Sequence, residues 1–380
     1  MFLNFKEFMT NYKTTQETIK VKTIQGRYIT NDHVFPFLDE LSDLFLIETI
    51  GLSVLGKTIK SVTFGSGATK ILMWSQMHGN ESTSTKAVLD FINFMQASSD
   101  VALSLLQQCT FKVIPILNPD GAQVYTRVNA NQVDLNRDAQ TRTQPESIIL
   151  RNTYDIFKPN YCFNLHDQRT IFNVGDSQKP ATVSFLAPSH DDLRSISASR
   201  AVSMQLIVAM NQELQQYIPN QIGRYDDGFN ANCVGDTFQM LNTPTILFES
   251  GHFANDYVRE ETRIYIFCAL LKAVEVIGAD NIDAYAQNEY FQIPENGKQF
   301  YDLLIKNANL INSKFSAGTD IGVLFQETLV DGTLKFIPEI AYRGNLDGYY
   351  GHQTFNCMID DELNSLKTNI EVFNLLLSIE

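Results

Sequence analysis

The stretch Met77-His78-Gly79-Asn80-Glu81-Ser82 places a histidine and a carboxylate three residues apart, where an apolar run ends and a helical pattern begins. Upstream, Ile71 to Met77 reads ILMWSQM, a strand-like run. Downstream, between Glu81 and Ala97, the apolar residues Ala87, Val88, Phe91, Ile92 and Met95 recur at the spacing of one helical face. At a strand-to-helix junction two such side chains can converge on one ion. Zinc accepts imidazole nitrogen and carboxylate oxygen, and a catalytic zinc takes three protein ligands and keeps a fourth position for water, so His78 and Glu81 make a site lacking one ligand. Alone, His-x-x-Glu is a weak signal: the chain has 43 acids, and a surface histidine beside a helix-starting glutamate gives the same pattern. Of the six histidines, His166 supplies the natural third ligand, because Tyr161-Cys162-Phe163-Asn164-Leu165-His166-Asp167 is again an apolar run ending on the histidine. His33, His190, His252 and His352 have no carboxylate at ligand spacing, although His252 closely follows Glu249.

Strand-like and helical stretches alternate outward from this segment. TIKSVTFGSG from Thr58, ILMWSQMHG, a helix from Glu81, CTFKVIPILNP, a helix near Glu146 to Phe157, and YCFNLHD come first. TVSFLAP, a long helix from about Asp191 to Tyr217, TILFESG and a helix from Tyr257 to Val276 follow. The alternation predicts an α/β fold, a mostly parallel mixed sheet flanked by helices on both faces. Ligands of such sheets bind beyond the carboxyl ends of the strands. His78, Asn118-Pro119-Asp120-Gly121, His166 and Glu249 all stand at such ends, so one cleft would collect them. Residues 1–50 read as mostly helical. After Ile293 the texture changes to short β-like pieces, with Asp331-Gly332 as a hairpin signal and a helix-like stretch from Asp360 to Leu377. The expected organisation is a catalytic domain over 1–292 and a small C-terminal α+β domain over 293–380.

With 380 residues and 44% hydrophobic content, the chain has ample material for a core and exceeds the usual single-core size. A net charge of −14 without any lysine or arginine run argues against nucleic-acid and anionic-membrane partners. Five scattered cysteines read as reduced and structural. The N-terminal MFLNFKEFMTNYK breaks its apolar residues with charges, and no run approaches the ~20 apolar residues of a membrane span, so a cytoplasmic protein is expected.

Five segments together resemble the zinc metallocarboxypeptidases of the carboxypeptidase A type: HGNE at 78–81, NPDG at 118–121, TRVNANQVDLNRD at 126–138, NLHD at 164–167 and ILFESG at 246–251. They occur in the order and similar spacing of that family and span about Ser53 to Arg263. The resemblance implies one zinc ion on His78, Glu81 and His166, and hydrolysis of the C-terminal amide bond of a peptide by metal-activated water. Glu249 aligns with the family's general base and Arg127 with its oxyanion-stabilising arginine. Asn136 and Arg137 match the pair that binds the substrate's terminal carboxylate, a task for which a guanidinium fork and an amide are well shaped. Tyr225, in Gly223-Arg224-Tyr225-Asp226-Asp227-Gly228, is the candidate for the mobile tyrosine that closes over bound peptide.

Some residues depart from the family pattern. Gly79 and Asn80 stand where digestive members commonly carry an arginine that binds peptide farther from the cleavage point, and Ser250-Gly251-His252-Phe253 replaces the usual apolar continuation. Asp226, Asp227 and Asp236 fall in the region that commonly shapes the side-chain pocket. HGNE and DLNR occur also in zinc deacylases of N-acyl amino acids of the aspartoacylase and succinylglutamate desuccinylase type, which is the alternative. The expected partner is therefore a short peptide or acyl-amino acid with a free C-terminal carboxylate.

Overall fold

A computed structural model describes residues 18–97 and 99–378. The chain divides into two compact units, one made of residues up to 168 with 181–296, the other of 169–180 with 297–380. The expectation of a contiguous second domain over 293–380 differs from this division in the segment 169–180, which belongs to the second unit.

The first unit is built on an eight-stranded sheet. Its strands are β1 (Leu46–Leu52), β2 (Thr58–Gly65), β3 (Thr69–Ser75), β4 (Cys109–Ile114), β5 (Tyr161–Asp167), β6 (Val183–Leu186), β7 (Ile222–Arg224) and β8 (Thr245–Ser250), in the order β1-β2-β4-β3-β5-β8-β6-β7. The central four, β4, β3, β5 and β8, are parallel, while β1, β2 and β6 join by antiparallel pairing. Helices α1 (Asn31–Asp39), α2 (Thr83–Gln96), α3 (Asp100–Gln108), α4 (Pro119–Val124), α5 (Pro145–Phe157), α6 (Ala198–Leu214), α7 (Val234–Met240) and α8 (Glu260–Gly278) surround it. Successive residues of a strand face opposite sides. Ile71 and Met73 accordingly pack with α2, α6 and α8, while Leu72 and Trp74 pack with α5 and α7. Burial on both faces explains why β3 reads as a continuous apolar run rather than an alternation.

The expected helical character of residues 1–50 fails in part. Residues 1–17 lie outside the described residues, α1 is helical, and Leu46–Leu52 is the edge strand β1. An edge strand with much of its surface exposed carries little of the alternation by which a half-buried strand is recognised. The long helix expected from Asp191 starts at Ala198, because the Ser197 hydroxyl accepts the Arg200 N–H and opens α6 there. The helix expected from Tyr257 starts at Glu260, where the Asp256 carboxylate accepts the N–H groups of Glu260, Glu261 and Thr262. No helix of the described residues is long and apolar enough to cross a membrane.

In the second unit, β9 (Phe300–Lys306), β10 (Asp320–Val330), β11 (Thr333–Gly344) and β12 (Tyr350–Asn356) form a sheet in the order β11-β10-β9-β12. Asp331 and Gly332, with φ of 49° and 74°, close the hairpin between β10 and β11, both left-handed as its two-residue turn requires. The Asp360 to Leu377 stretch is two helices, α9 (Asp360–Thr368) and α10 (Ile370–Leu377), and the Asn369 side chain caps the second. Leu366, Val372 and Leu376 pack on Leu303, Ile305, Ile321 and Val323. The segment 169–180 is held here by hydrogen bonds from Phe300 N–H to Ile171 O (3.1 Å), between His352 Nε2 and Thr170 O (2.8 Å), and from Tyr350 OH to Asp176 O (3.2 Å).

Candidate active site

β3 ends at Ser75, and Gln76 then turns the chain with a left-handed φ of 49°. Its amide donates to Ile29 O (2.8 Å) and Gly79 O (2.9 Å) and accepts from the Thr85 hydroxyl (3.1 Å), so the loop from 77 to 82 is tied to the first turns of α2. Asn118 braces the other side: its amide donates to Met77 O (3.2 Å) and accepts from Gly121 N–H (2.9 Å) as the cap of α4. Gly79 is pressed so closely on that turn that a Cβ would lie 2.0 Å from the Gly121 carbonyl carbon. The HGNE and NPDG segments are therefore two halves of one packed corner.

His78, Glu81 and His166 meet there, all buried, with one donor atom from each within 4.8 Å of the others. His78 Nδ1 lies 2.8 Å from Glu81 Oε1, and His166 Nδ1 lies 2.8 Å from Glu81 Oε2 and 3.1 Å from His78 Nδ1. On its far side His78 Nε2 is 3.0 Å from Asp134 Oδ1. A ring that donates its N–H to Asp134 turns a lone pair toward the Glu81 carboxylate and toward the other imidazole. Such inward-facing donors repel one another unless a cation lies among them. The donor set, two imidazoles and one carboxylate with a carboxylate behind one imidazole, fits a single catalytic zinc ion. Burial alone would push Glu81 up, but the charges and hydrogen bonds of His78 and His166 hold its carboxyl well below the usual range.

Asp134 does more than the sequence suggested. Its Oδ1 also accepts the Asn136 N–H (2.9 Å), capping the 3-10 turn Leu135–Arg137, and its Oδ2 pairs with Arg127 Nη2 (3.0 Å). One carboxylate thus links His78, Arg127 and the turn carrying Asn136 and Arg137. The usable signal was the Asp-x-Asn spacing at a cap, together with the need of a ligand imidazole for a partner at its second nitrogen.

Glu249 stands on β8 in register with His166 on β5, buried, its Oε2 without a hydrogen-bond partner among the described residues. Burial, then the charges of Glu81 and Asp167, push its carboxyl well above the usual range, against the pull of Arg127. Arg127 donates from Nη1 to Glu81 Oε1 at 3.2 Å, so its guanidinium borders the metal cluster. Asn136 Oδ1 accepts the Val234 N–H (3.0 Å), fixing the amide against the start of α7. Arg137 is exposed, and its Nη1 donates to Asn136 O (2.7 Å) and Cys233 Sγ (3.0 Å). Tyr225 follows β7, its N–H bonded to Phe185 O (2.9 Å). Burial and then the charges of Glu249 and Glu81 raise its phenol, which stays protonated. Of the three acids near the expected side-chain pocket, Asp227 is engaged by Arg194 and Arg200, exposed Asp226 accepts the Gly228 N–H, and buried Asp236 accepts the Asn230 N–H.

Residues 37–162 match the profile of the family described as zinc carboxypeptidase. A probable carboxypeptidase 2 of Arthroderma benhamiae is 27% identical over 100 residues, 26% of this chain and 19% of that protein. The match thus spans about a fifth of that relative's length. Carboxypeptidase B of Astacus astacus is 25% identical over 227 residues, 57% of this chain and 69% of that protein. Among solved structures, a metallo-carboxypeptidase from Burkholderia cenocepacia shares the fold with a TM-score of 0.54 at 18% identity, over 66% of this chain and 70% of that one.

Proposed function

We propose that this chain, whose residues 37–162 match the zinc carboxypeptidase profile around a buried His-Glu-His cluster, removes the C-terminal residue of short peptides bearing a free carboxylate. The observation that carries this reading is the buried meeting of His78, Glu81 and His166 at the carboxyl edge of the sheet, with Glu249 and Arg127 beside it. A zinc ion on those three residues supplies a Lewis acid that polarises the scissile carbonyl and acidifies a water. Glu249 takes the proton of the attacking water and returns it to the leaving amine. Its buried Oε2 has no hydrogen-bond partner among the described residues, which suits that exchange. Arg127 offers its cation to the oxygen that becomes negative. Asn136 and Arg137 receive the terminal carboxylate, the amide pre-set by Val234 and the guanidinium exposed to the incoming ligand. Tyr225, whose phenol stays protonated, covers the bound peptide and donates to it.

The test compares dipeptides and N-acyl amino acids with free and amidated carboxyl ends. Free-ended dipeptides should be cleaved and amidated ones should not, and Arg137→Met should cost about 2–5 kcal/mol in catalytic efficiency without loss of zinc. Cleavage of amidated substrate at an equal rate would remove the carboxylate clamp. Hydrolysis of N-acyl amino acids with no peptide cleavage would assign the chain to deacylation instead.

A further inference from the structure

Next to the ligand His166 stands a carboxylate to which no ligand or substrate role has been given. Asp167 is buried, its side chain only 2% exposed, and its two oxygens accept the backbone N–H groups of Thr83 (2.8 Å) and Ser84 (3.1 Å). Those amides are in the first turn of α2, two and three residues beyond Glu81. In return, Glu81 Oε2 accepts the backbone N–H of Asp167 at 3.2 Å. The end of β5 and the start of α2 thus hold each other by crossed bonds: strand carboxylate to helix amides, ligand carboxylate to strand amide. A carboxylate at a helix N-terminus satisfies donors that have no intrahelical partner and meets the positive end of the helix dipole.

Behind Asp167 lies Arg259, 1% exposed, whose Nη1 is 3.9 Å from an Asp167 oxygen. The same guanidinium donates to Ser250 O (2.7 Å) and Gln168 O (2.6 Å), joining the ends of β8 and β5. Glu249 and His166 lie one and two residues before these carbonyls.

We infer that Asp167, braced by Arg259, is a positioning residue for the metal centre: it holds the first turn of α2 against β5 so that Glu81 and His166 face each other before any ion arrives. The inference rests on the zinc reading above. Preorganisation of this kind shows in affinity. Removing a partner that orients metal ligands typically weakens metal binding 10–100-fold. The substitution Asp167→Asn retains the size but leaves one acceptor oxygen for two N–H groups, and the amide NH2 opposes the second.

The experiment measures the zinc dissociation constant by chelator competition for wild type, Asp167→Asn and Arg259→Lys. Thermal unfolding of each metal-free protein is followed in parallel. Wild type should bind one zinc, and Asp167→Asn about 10–100-fold more weakly. Arg259→Lys, which keeps the cation and loses the fork, should fall between them. Unchanged zinc affinity in a folded Asp167→Asn protein would overturn the inference while leaving the zinc reading intact. Failure of wild type to bind zinc would overturn both. Should Asp167→Asn not fold, hydrogen exchange of the metal-free wild type decides. Protected Thr83 and Ser84 amides uphold the inference, and exchange at the rate of an open loop overturns it.

Discussion

Glu249 and Asp236 are both buried acids raised by their surroundings, and they differ in what the rise is for. Glu249 faces the metal cluster, so Glu249→Gln should keep zinc while turnover, measured on a free-ended dipeptide, falls by at least ~10². Retained turnover would remove its role as base. Asp236, pushed up to about 7 chiefly by burial, has its cost in stability. Its folded-state value exceeds the ordinary 3.8, so the folded protein holds a proton that the unfolded chain gives up between those values. Its contribution is therefore full below pH about 4, declines as pH rises toward about 7, and is flat above. Asp236→Asn, which mimics the protonated acid, should be more stable than wild type in urea at pH 8, by at most about 4 kcal/mol, and the difference should vanish near pH 4. A difference independent of pH would mean that Asp236 does not titrate in this range. At this scale the ligands His78, Glu81 and His166 were legible because a motif and two strand ends point to them. The bond from Asp167 to α2 was not, since it joins residues 83 and 84 positions apart and leaves no local pattern.

Elements show the same contrast between what is written locally and what packing decides. The central strands and the helices between them could be read because strands buried on both faces are apolar runs and covering helices carry one apolar face. β1 was missed for its exposure, and the starts of α6 and α8 were misjudged because caps at Ser197 and Asp256, not apolar spacing, set them. The corner between HGNE and NPDG depends on a contact that no periodicity announces. With Gly121 so near, Gly79→Ala must displace backbone on one side, and overpacking of this kind costs about 1–3 kcal/mol or more. Because Gly79 lies between His78 and Glu81, displacement on its own side should lower zinc affinity along with the melting temperature. A variant that loses stability at unchanged zinc affinity would show that the corner yields on the α4 side.

Across the first unit, a buried charge network ties distant parts of the chain together. Arg263 on α8 makes a two-pronged pair with Asp90 on α2 and donates to Val21 O and Ile24 O, while Asp90 also accepts the Val21 N–H. Lys86 and Glu260 extend it, with Glu260 accepting the Gly26 N–H. Asp90→Ala takes from the buried Arg263 guanidinium its two-pronged partner, leaving it Glu260 and two carbonyls, and should cost about 3–5 kcal/mol in denaturant unfolding. A loss below about 1 kcal/mol, the range of an exposed pair, would show that water reaches the site. The second unit poses a different question, one of chain continuity. Because it is assembled from an insertion at 169–180 as well as a tail, it is not a cassette that a single cut can excise. A protein ended at 296 keeps the insertion, which begins three residues after a zinc ligand, and deprives Thr170 and Ile171 of the tail donors that bond their carbonyls. Trimming the tail therefore leaves 169–180 in the chain without its partners, and a shuffled or fused version of this protein must carry both pieces across together.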